Sequence, residues 1–126
     1  MVPGHSTSVG GVNTRVTRSF TFEAAHQLPW HSGKCRDLHG HGYRLEVTVD
    51  GPVGDDGMVV DFDVLGAHVE REVIERYDHK FLNDLLENPT AELIAADIWK
   101  TLEAGGVRIA SIRLWETADC MVEITG

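Results

Sequence analysis

The sequence has little that would place it in a specialised class of proteins. Its two cysteines, Cys35 and Cys120, do not form a C-x-x-C pair and are too few for a disulfide framework, so we expect a reducing cytosol. No segment approaches the roughly 18 consecutive apolar residues that a membrane-spanning helix requires. Neither a G-x-G-x-x-G nor a G-K-[ST] loop is present, so a dinucleotide or ATP site has no support.

Basic residues are also scarce. The chain has 11 Lys and Arg against 20 Asp and Glu, which gives a formal net charge of −9. Because binding to a phosphate backbone or an anionic membrane surface needs a basic footprint, nucleic acid and membrane partners are disfavoured. A phosphorylated small molecule is still compatible with this charge, since a few local Lys and Arg residues can hold one.

The length of 126 residues predicts one domain with a modest core. Residues 1–13 are rich in Gly, Ser and Thr and do not resemble a signal peptide, so we interpret them as a disordered leader. Residues 14–126 then form the single domain. A domain of this size is too small for a large cavity of its own, which favours a site built between subunits.

Two segments have the alternating pattern of half-buried strands. The first is Arg15–His26, where Arg18 is the one exception on the apolar face, and the second is His39–Val49. A loop that contains Pro29 and Gly33 joins them.

Two helices are predicted next. Asp61 or Asp63 caps the first, and Asn88-Pro89-Thr90 begins the second, with Pro89 at the first helical position. Gly105-Gly106 ends the second helix. Apolar residues at helical spacing mark the buried faces, namely Phe62, Leu65, Val69, Val73 and Tyr77 in the first helix and Ile94, Ile98 and Leu102 in the second.

Two closing strands complete the pattern, Val107–Glu116 and Cys120–Ile124, with a short hairpin loop at residues 117–119. The order is therefore strand, strand, helix, helix, strand, strand. This order predicts an α+β domain in which a four-stranded antiparallel sheet carries both helices on one face.

Three histidines fall on the same predicted face of the first two strands. His39 and His41 are two residues apart in one strand, so both imidazoles point to the same side. In an antiparallel hairpin, His26 at the end of the first strand lies beside them. Three imidazoles with a fourth position open are typical of a catalytic zinc site. The alternative is a set of core histidines, which is disfavoured because burying three of them without a ligand costs desolvation.

The two cysteines receive different interpretations. Cys35 precedes His39 by four residues and is flanked by Lys34 and Arg36, which would favour the thiolate. It is therefore a candidate acid/base, although a loop cysteine without a function is the alternative. Cys120 alternates with apolar residues of the last strand, so we expect it to pack in the core.

Further polar residues are candidates for proton transfer and for ligand binding. Asp78 beside His79 could be a proton relay, although capping of the helix end by the histidine is the better explanation of this pair taken alone. A carboxylate such as Glu116 at the end of a half-buried strand is costly to bury unless it is paired, and a ligand with two adjacent N–H donors would pair with it; the alternative is a strand-end residue that reaches water. Thr90 and Glu92 could contact a ligand, or could simply cap their helix.

Five separated motifs carry a family resemblance that covers the chain after residue 13. They are F-T-F-E-A-A-H at 20–26, C-R-D-L-H-G-H-G-Y at 35–43, Y-D-H-K-F-L-N-D at 77–84, N-P-T-A-E at 88–92 and W-E-T at 115–117. Together they resemble the 6-pyruvoyltetrahydropterin synthase superfamily. The short segment between Cys35 and His39 is most similar to the 6-carboxytetrahydropterin synthases of bacterial queuosine and 7-deazapurine biosynthesis.

The resemblance implies a tunnelling fold, in which subunits join their sheets into a barrel, and a cytoplasmic homohexamer with sites between subunits. It implies zinc as the cofactor and a pterin triphosphate, 7,8-dihydroneopterin triphosphate, as the substrate. The implied products are 6-carboxy-tetrahydropterin, acetaldehyde and triphosphate. The implied roles are zinc ligation by His26, His39 and His41, acid/base catalysis by Cys35 with Asp78 and His79, and pterin binding by Glu116 with Thr90 nearby.

Three other interpretations stay open at this stage. The chain could be the sister enzyme that forms 6-pyruvoyltetrahydropterin, a relative that binds zinc and a pterin without catalysis, or an α+β domain with histidines in its core. The residues that would hold the triphosphate are not evident from the sequence, and Lys34, Arg36 and Lys80 are candidates.

Overall fold

The structure is a computed structural model that describes residues 12–126, so all but the last two residues of the expected leader lie outside it. Its strands and helices follow the predicted order with one addition. The elements are β1 (Arg15–His26), β2 (His39–Asp50), α1 (Phe62–Val69), a π-helical segment (Glu70–Ile74), α2 (Glu75–Tyr77), β3 (Lys80–Phe81), α3 (Ala91–Ala104), β4 (Ile109–Thr117) and β5 (Cys120–Thr125). Short 3-10 turns lie at Lys34–Arg36 and Leu82–Asp84.

The sheet has five strands in the order β3-β1-β2-β4-β5. The four long strands are antiparallel to their neighbours, as predicted. The prediction of a four-stranded, wholly antiparallel sheet is wrong in one detail, because β3 pairs in parallel with residues 24 and 25 of β1. A strand of two residues has no alternation that a sequence pattern could reveal.

Both helical regions cover one face of this sheet, and the core lies between the two layers. α1, the π-helical segment and α2 follow one another without a break, and α3 packs beside them and over β4 and β5. The fully buried core residues on the sheet side are Tyr43, Leu45, Val47, Val49, Ile112 and Leu114, and those on the helix side are Val69, Val73, Tyr77, Ile94, Ile98 and Leu102. The expected α+β layer architecture is therefore confirmed.

The beginning of α1 differs from the prediction at one apolar position. Asp61 is the N-cap, since its side chain accepts hydrogen bonds from the backbone N–H groups of residues 63 and 64. Phe62 belongs to the predicted buried face, but it is 57% exposed. Its carbonyl oxygen instead accepts a hydrogen bond from Arg18 at 2.6 Å, which explains how an arginine is tolerated on the helix-facing side of β1.

The second helix begins at Ala91, two residues later than a first helical position at Pro89 would suggest. Thr90 is the N-cap of α3, and its hydroxyl accepts a hydrogen bond from the backbone N–H of Leu93 at 3.2 Å. Pro89 therefore precedes the cap instead of occupying the first helical position. At the other end, Gly105 is the C-cap and Gly106 has a positive φ of 86°, so the predicted stop signal is confirmed.

Cys120 is exposed, so the expectation that it packs in the core is wrong. It is the first residue of β5 and pairs with Thr117 after a register shift, whereas Val122 and Ile124 on the same strand do pack against the core. Within residues 12–126, no helix has both the length and the apolar character needed to cross a membrane.

Candidate active site

The pairing of β1 with β2 brings the three predicted histidines to one place. In this antiparallel register His26 is opposite His39, and His41 is opposite Ala24 two residues further along. One ligand atom from each imidazole lies within 4.8 Å of the other two. His26 is fully buried and the other two rings are partly buried. The alternation of two ordinary strands is thus sufficient to gather the cluster.

Two of these rings are fixed by backbone carbonyl groups. His26 Nδ1 donates to the carbonyl oxygen of Pro89 at 2.8 Å, and His39 Nδ1 donates to the carbonyl oxygen of Asp37 at 2.6 Å. Because a carbonyl can only accept, each Nδ1 carries the hydrogen, and in the neutral ring Nε2 is a bare lone pair. These two Nε2 atoms face each other at 3.0 Å.

The third ring adds a donor atom that has no other partner. Among the described residues, His41 Nε2 is buried and forms no hydrogen bond. Burial is the largest cause of the lowered pKa of His41, which favours the neutral, ligating form of the imidazole. The buried hydroxyl of Tyr43, which packs edge-on against His41, also lacks a partner, and its own pKa is raised by burial and by Glu116.

This arrangement fits a metal ion. Lone pairs that face each other at hydrogen-bond distance repel unless a cation lies between them. Tetrahedral zinc with Zn–N bonds of about 2.0–2.1 Å separates its ligand nitrogens by about 3.3 Å, which is close to the spacing of the cluster. Carbonyl groups that fix the tautomer through Nδ1 are the usual outer partners of metal-binding histidines. Imidazole ligands suit zinc, copper, iron and nickel.

Glu116 lies directly beside the imidazole cluster. Its Oε1 atom is 3.4 Å from His26 Nε2 and 3.8 Å from His41 Nε2. As predicted, the residue is on the core-facing side of β4 with Ile112 and Leu114, and its side chain is partly buried. The sequence did not indicate its closeness to the histidines, because that depends on β4 pairing with β2 across the long helical insertion.

The Asp78–His79 pair lies where the helical region returns to the sheet. Asp78 Oδ2 is 3.0 Å from His79 Nδ1, and Asp78 Oδ1 accepts the backbone N–H of Glu23 at 2.9 Å. The backbone N–H of His79 donates to the carbonyl oxygen of Glu23 at 2.6 Å. The hydrogen bond from Glu23 is the main cause of the lowered pKa of Asp78, so this carboxylate stays ionised at neutral pH.

His79 is held in an uncommon backbone conformation directly before β3. Its φ is 60°, the one positive value among non-glycine residues of the described chain. Such strain persists only where neighbouring contacts fix it, and the two hydrogen bonds of Glu23 do so. His79 and His41 line the same open depression of about 470 Å³, together with Glu23, Lys80 and the glycines at 40 and 42. The alternation of β1 and β2 puts residues 23, 40 and 42 on the face opposite the three imidazole rings, and the His79 side chain is 78% exposed, so the structure does not bring this pair into the imidazole group.

Cys35 lies in the loop that covers this end of the sheet, outside the group of imidazole ligand atoms. It is half-buried within the 3-10 turn, and its carbonyl oxygen accepts the backbone N–H of Leu28 at 2.8 Å, which ties the two sides of the loop together. Lys34 and Arg36 on either side are exposed, as is Lys80.

Two groups near the cluster escaped the sequence analysis. The carbonyl oxygens of Pro89 and Asp37 orient the rings of His26 and His39. Because they are backbone atoms, the residue types in the sequence do not indicate their role. The contact between the Pro89 carbonyl group and His26 brings the N-P-T segment close to the imidazole cluster. Thr90, whose hydroxyl caps α3, follows Pro89 directly.

The comparison with known families agrees with this geometry. A family model described as 6-pyruvoyl tetrahydropterin synthase matches residues 15–126. The chain belongs to this family. The resemblance stated from the motifs is therefore confirmed, and the protein is a member of a family of pterin synthases.

Curated relatives within the family carry a more specific name. The chain is 47% identical over 110 residues to the 6-carboxy-5,6,7,8-tetrahydropterin synthase of Synechocystis, a match that covers 81% of this chain and 85% of the relative. It is 39% identical over 106 residues to a putative 6-carboxy-5,6,7,8-tetrahydropterin synthase of Archaeoglobus fulgidus, covering 84% of this chain and 90% of that protein.

A solved structure confirms the family fold. The 6-pyruvoyl tetrahydropterin synthase of Caenorhabditis elegans superposes with a TM-score of 0.81 at 24% identity, over 91% of this chain and 96% of that chain. The tunnelling fold expected for the family is therefore the fold of this domain.

Proposed function

We propose that this protein is a zinc-dependent lyase that converts 7,8-dihydroneopterin triphosphate and water into 6-carboxy-5,6,7,8-tetrahydropterin, acetaldehyde and triphosphate. The observation that carries the proposal is the convergence of three imidazole Nε2 atoms, two of them fixed by carbonyl groups, beside a partly buried carboxylate. The 47% identity to a relative named for the same product supports the choice of reaction.

In this proposal His26, His39 and His41 hold the zinc ion. Their hydrogen-bonded tautomers leave Nε2 free for ligation, and the partly buried setting limits competition from water. Bound zinc supplies Lewis-acid chemistry, which polarises oxygen atoms of the substrate side chain. Imidazole nitrogens are the usual ligands of a catalytic zinc, whereas structural zinc sites more often use cysteine thiolates.

Cys35 and the Asp78–His79 pair move protons between the substrate side chain and the pterin ring. Asp78 accepts from His79 Nδ1–H, which leaves Nε2 of His79 as the atom that takes and returns a proton. Cys35 acts as the second acid/base from the loop above the cluster. Because proton transfers of this kind reduce the ring at the expense of the side chain, the reaction needs no nicotinamide.

Glu116 anchors the pterin ring. Its carboxylate can accept two adjacent N–H donors, one from the ring and one from the exocyclic amino group, in a bidentate pair. The partly buried end of β4 strengthens such a pair because little water competes for the carboxylate. Thr90, directly after Pro89, is a nearby contact for the same ring.

We also propose a cytoplasmic homohexamer in which neighbouring subunits complete each site. β5 lies at an edge of the sheet with β4 as its one described neighbour, so its outer side can pair with another subunit. Large apolar side chains near the cluster are exposed, among them Trp30 (63%) and Leu38 (62%). Exposed apolar side chains around a site are typical of surfaces that another chain covers.

Formation of 6-pyruvoyltetrahydropterin is the second candidate, because the structure with a TM-score of 0.81 carries that name. The test is to incubate the zinc-loaded protein with 7,8-dihydroneopterin triphosphate and identify the products by mass. Carboxy-tetrahydropterin with acetaldehyde supports the proposal. Pyruvoyl-tetrahydropterin without acetaldehyde assigns the second reaction instead, and tight pterin binding without turnover would mark a non-catalytic relative.

A further inference from the structure

Glu116 is closer to the imidazole cluster than a residue that only binds the pterin ring needs to be. Its Oε1 atom approaches the Nε2 atoms of His26 and His41 at 3.4 and 3.8 Å. These two distances resemble the separation of about 3.3 Å between neighbouring ligand atoms around tetrahedral zinc. Glu116 is not part of the group whose ligand atoms all lie within 4.8 Å of one another, so its side chain must rotate to bring the oxygen among them.

Hydrogen bonding does not account for this position. The Nδ1 atom of His26 already donates to Pro89, so the neutral ring has no hydrogen on the nitrogen that faces the carboxylate. A carboxylate oxygen and an imidazole lone pair repel each other at this distance. A cation that both atoms share removes the repulsion, and the same cation satisfies the unpartnered Nε2 of His41.

We propose that Glu116 is the fourth protein ligand of the metal in the resting enzyme, and that pterin binding removes it from the metal. This inference rests on the proposed function. Two parallel N–H donors fix the plane and the direction of the carboxylate that accepts them, so we expect the glutamate to turn away from the metal when it forms this pair. The fourth coordination position therefore opens when the ring is in place, and only then can a substrate oxygen occupy it.

Such an exchange keeps other ligands off the metal before the pterin binds, and it couples pterin binding to catalysis. With the carboxylate bound, the metal has three nitrogen ligands and one oxygen ligand and offers no open position to stray ligands. The charge of Glu116 also partly neutralises the divalent ion at a place where the ligand His26 is fully buried.

The test uses the full-length protein loaded with Co²⁺, whose visible absorption bands report the ligands of the metal. Wild type is compared with Glu116→Gln, which keeps the shape of the side chain but loses its charge. Glu123→Gln is the matched control, because Glu123 is on β5 and pairs with Arg113 at 2.9 Å on the other face of the sheet. Each protein is recorded alone and with unsubstituted pterin, which has the N–H donors but no side-chain oxygens.

We expect pterin to change the spectrum of wild type and of Glu123→Gln. Glu116→Gln should show a changed spectrum before pterin is added, no further change with it, and an affinity for Co²⁺ and Zn²⁺ lowered about tenfold or more. If Glu116→Gln binds the metals as tightly as wild type and with the same spectrum, the inference is wrong while the proposed function stands. If wild type binds neither metal, both fail. Circular dichroism checks that each variant is folded.

Discussion

His26 and His39 present bare Nε2 atoms to each other at 3.0 Å, although each ring is held in place by a carbonyl group at its other nitrogen. The protein thus maintains an arrangement that is unfavourable without a cation. A bound metal converts this repulsion into ligation, and several measurable consequences follow.

Metal binding should stabilise the folded chain. A ligand that binds the native state alone adds about 4 kcal/mol to the free energy of unfolding when its free concentration is 1,000 times its dissociation constant. We expect the thermal midpoint of wild type to fall when a chelator removes zinc, and to recover when zinc is returned. His41→Ala should show a much smaller response, and an equal response in that variant would contradict ligation by His41.

Cys35→Ala should bind zinc normally and lose most of its turnover. A positioned acid/base contributes about 10²–10⁴-fold to a rate, and the alanine variant removes it from a loop residue outside the imidazole group. Steady-state kinetics and zinc content measure the two effects separately. Cys120→Ala is the control, because Cys120 is exposed at the start of β5. Full activity in Cys35→Ala would remove this residue from the proposed chemistry.

Asp78→Asn should lower stability in a pH-dependent way. The pKa of Asp78 is lowered in the folded state, chiefly by the hydrogen bond from the Glu23 backbone N–H. A lowered folded pKa means that the stabilisation is fully present above the usual aspartate pKa of about 3.9, and is lost as the pH falls through the folded value.

The difference in free energy of unfolding between wild type and Asp78→Asn should therefore be constant near neutral pH and shrink below about pH 4. Urea denaturation at a series of pH values measures it. Asp55→Asn in the exposed turn after β2 serves as the control. A difference in free energy of unfolding that grows as the pH falls would contradict a lowered pKa of Asp78 in the folded state.

Thr90→Ala should separate the structural from the binding role of this residue. Loss of the N-cap hydrogen bond to Leu93 costs about 1 kcal/mol of stability. Thr90→Ser keeps a capping hydroxyl, so it should keep the stability. If both variants also raise KM for the pterin substrate, Thr90 contacts the ring; unchanged stability in Thr90→Ala would contradict its role as the cap.

Local patterns were sufficient to predict the long strands, both helical regions and the gathering of the histidines. Alternation in β1 and β2 determined which side chains share a face, and an antiparallel hairpin then had one way to bring His26 to His39 and His41. Glu116 was predicted to lie on the apolar face of its strand for the same reason, and the structure places it there.

Features that depend on tertiary neighbours could not be predicted in this way. The strand β3 is too short to show a pattern, and Cys120 follows the apolar alternation of β5 but is exposed at the first position of the strand. Phe62 has the spacing of a buried residue, yet its side chain at the first position of α1 is 57% exposed. The closeness of Glu116 to His26 follows from the pairing of β2 with β4, whose register no local pattern encodes.

The central claim is that three imidazoles hold one zinc ion, and zinc content per chain tests it most directly. We predict one equivalent of zinc in wild type after equilibration with a competing chelator, and far less in His39→Ala. His31→Ala, whose ring accepts the backbone N–H of Gly33 instead, should keep the full equivalent. Wild type without stoichiometric zinc, or His39→Ala with as much zinc as wild type, would contradict the account.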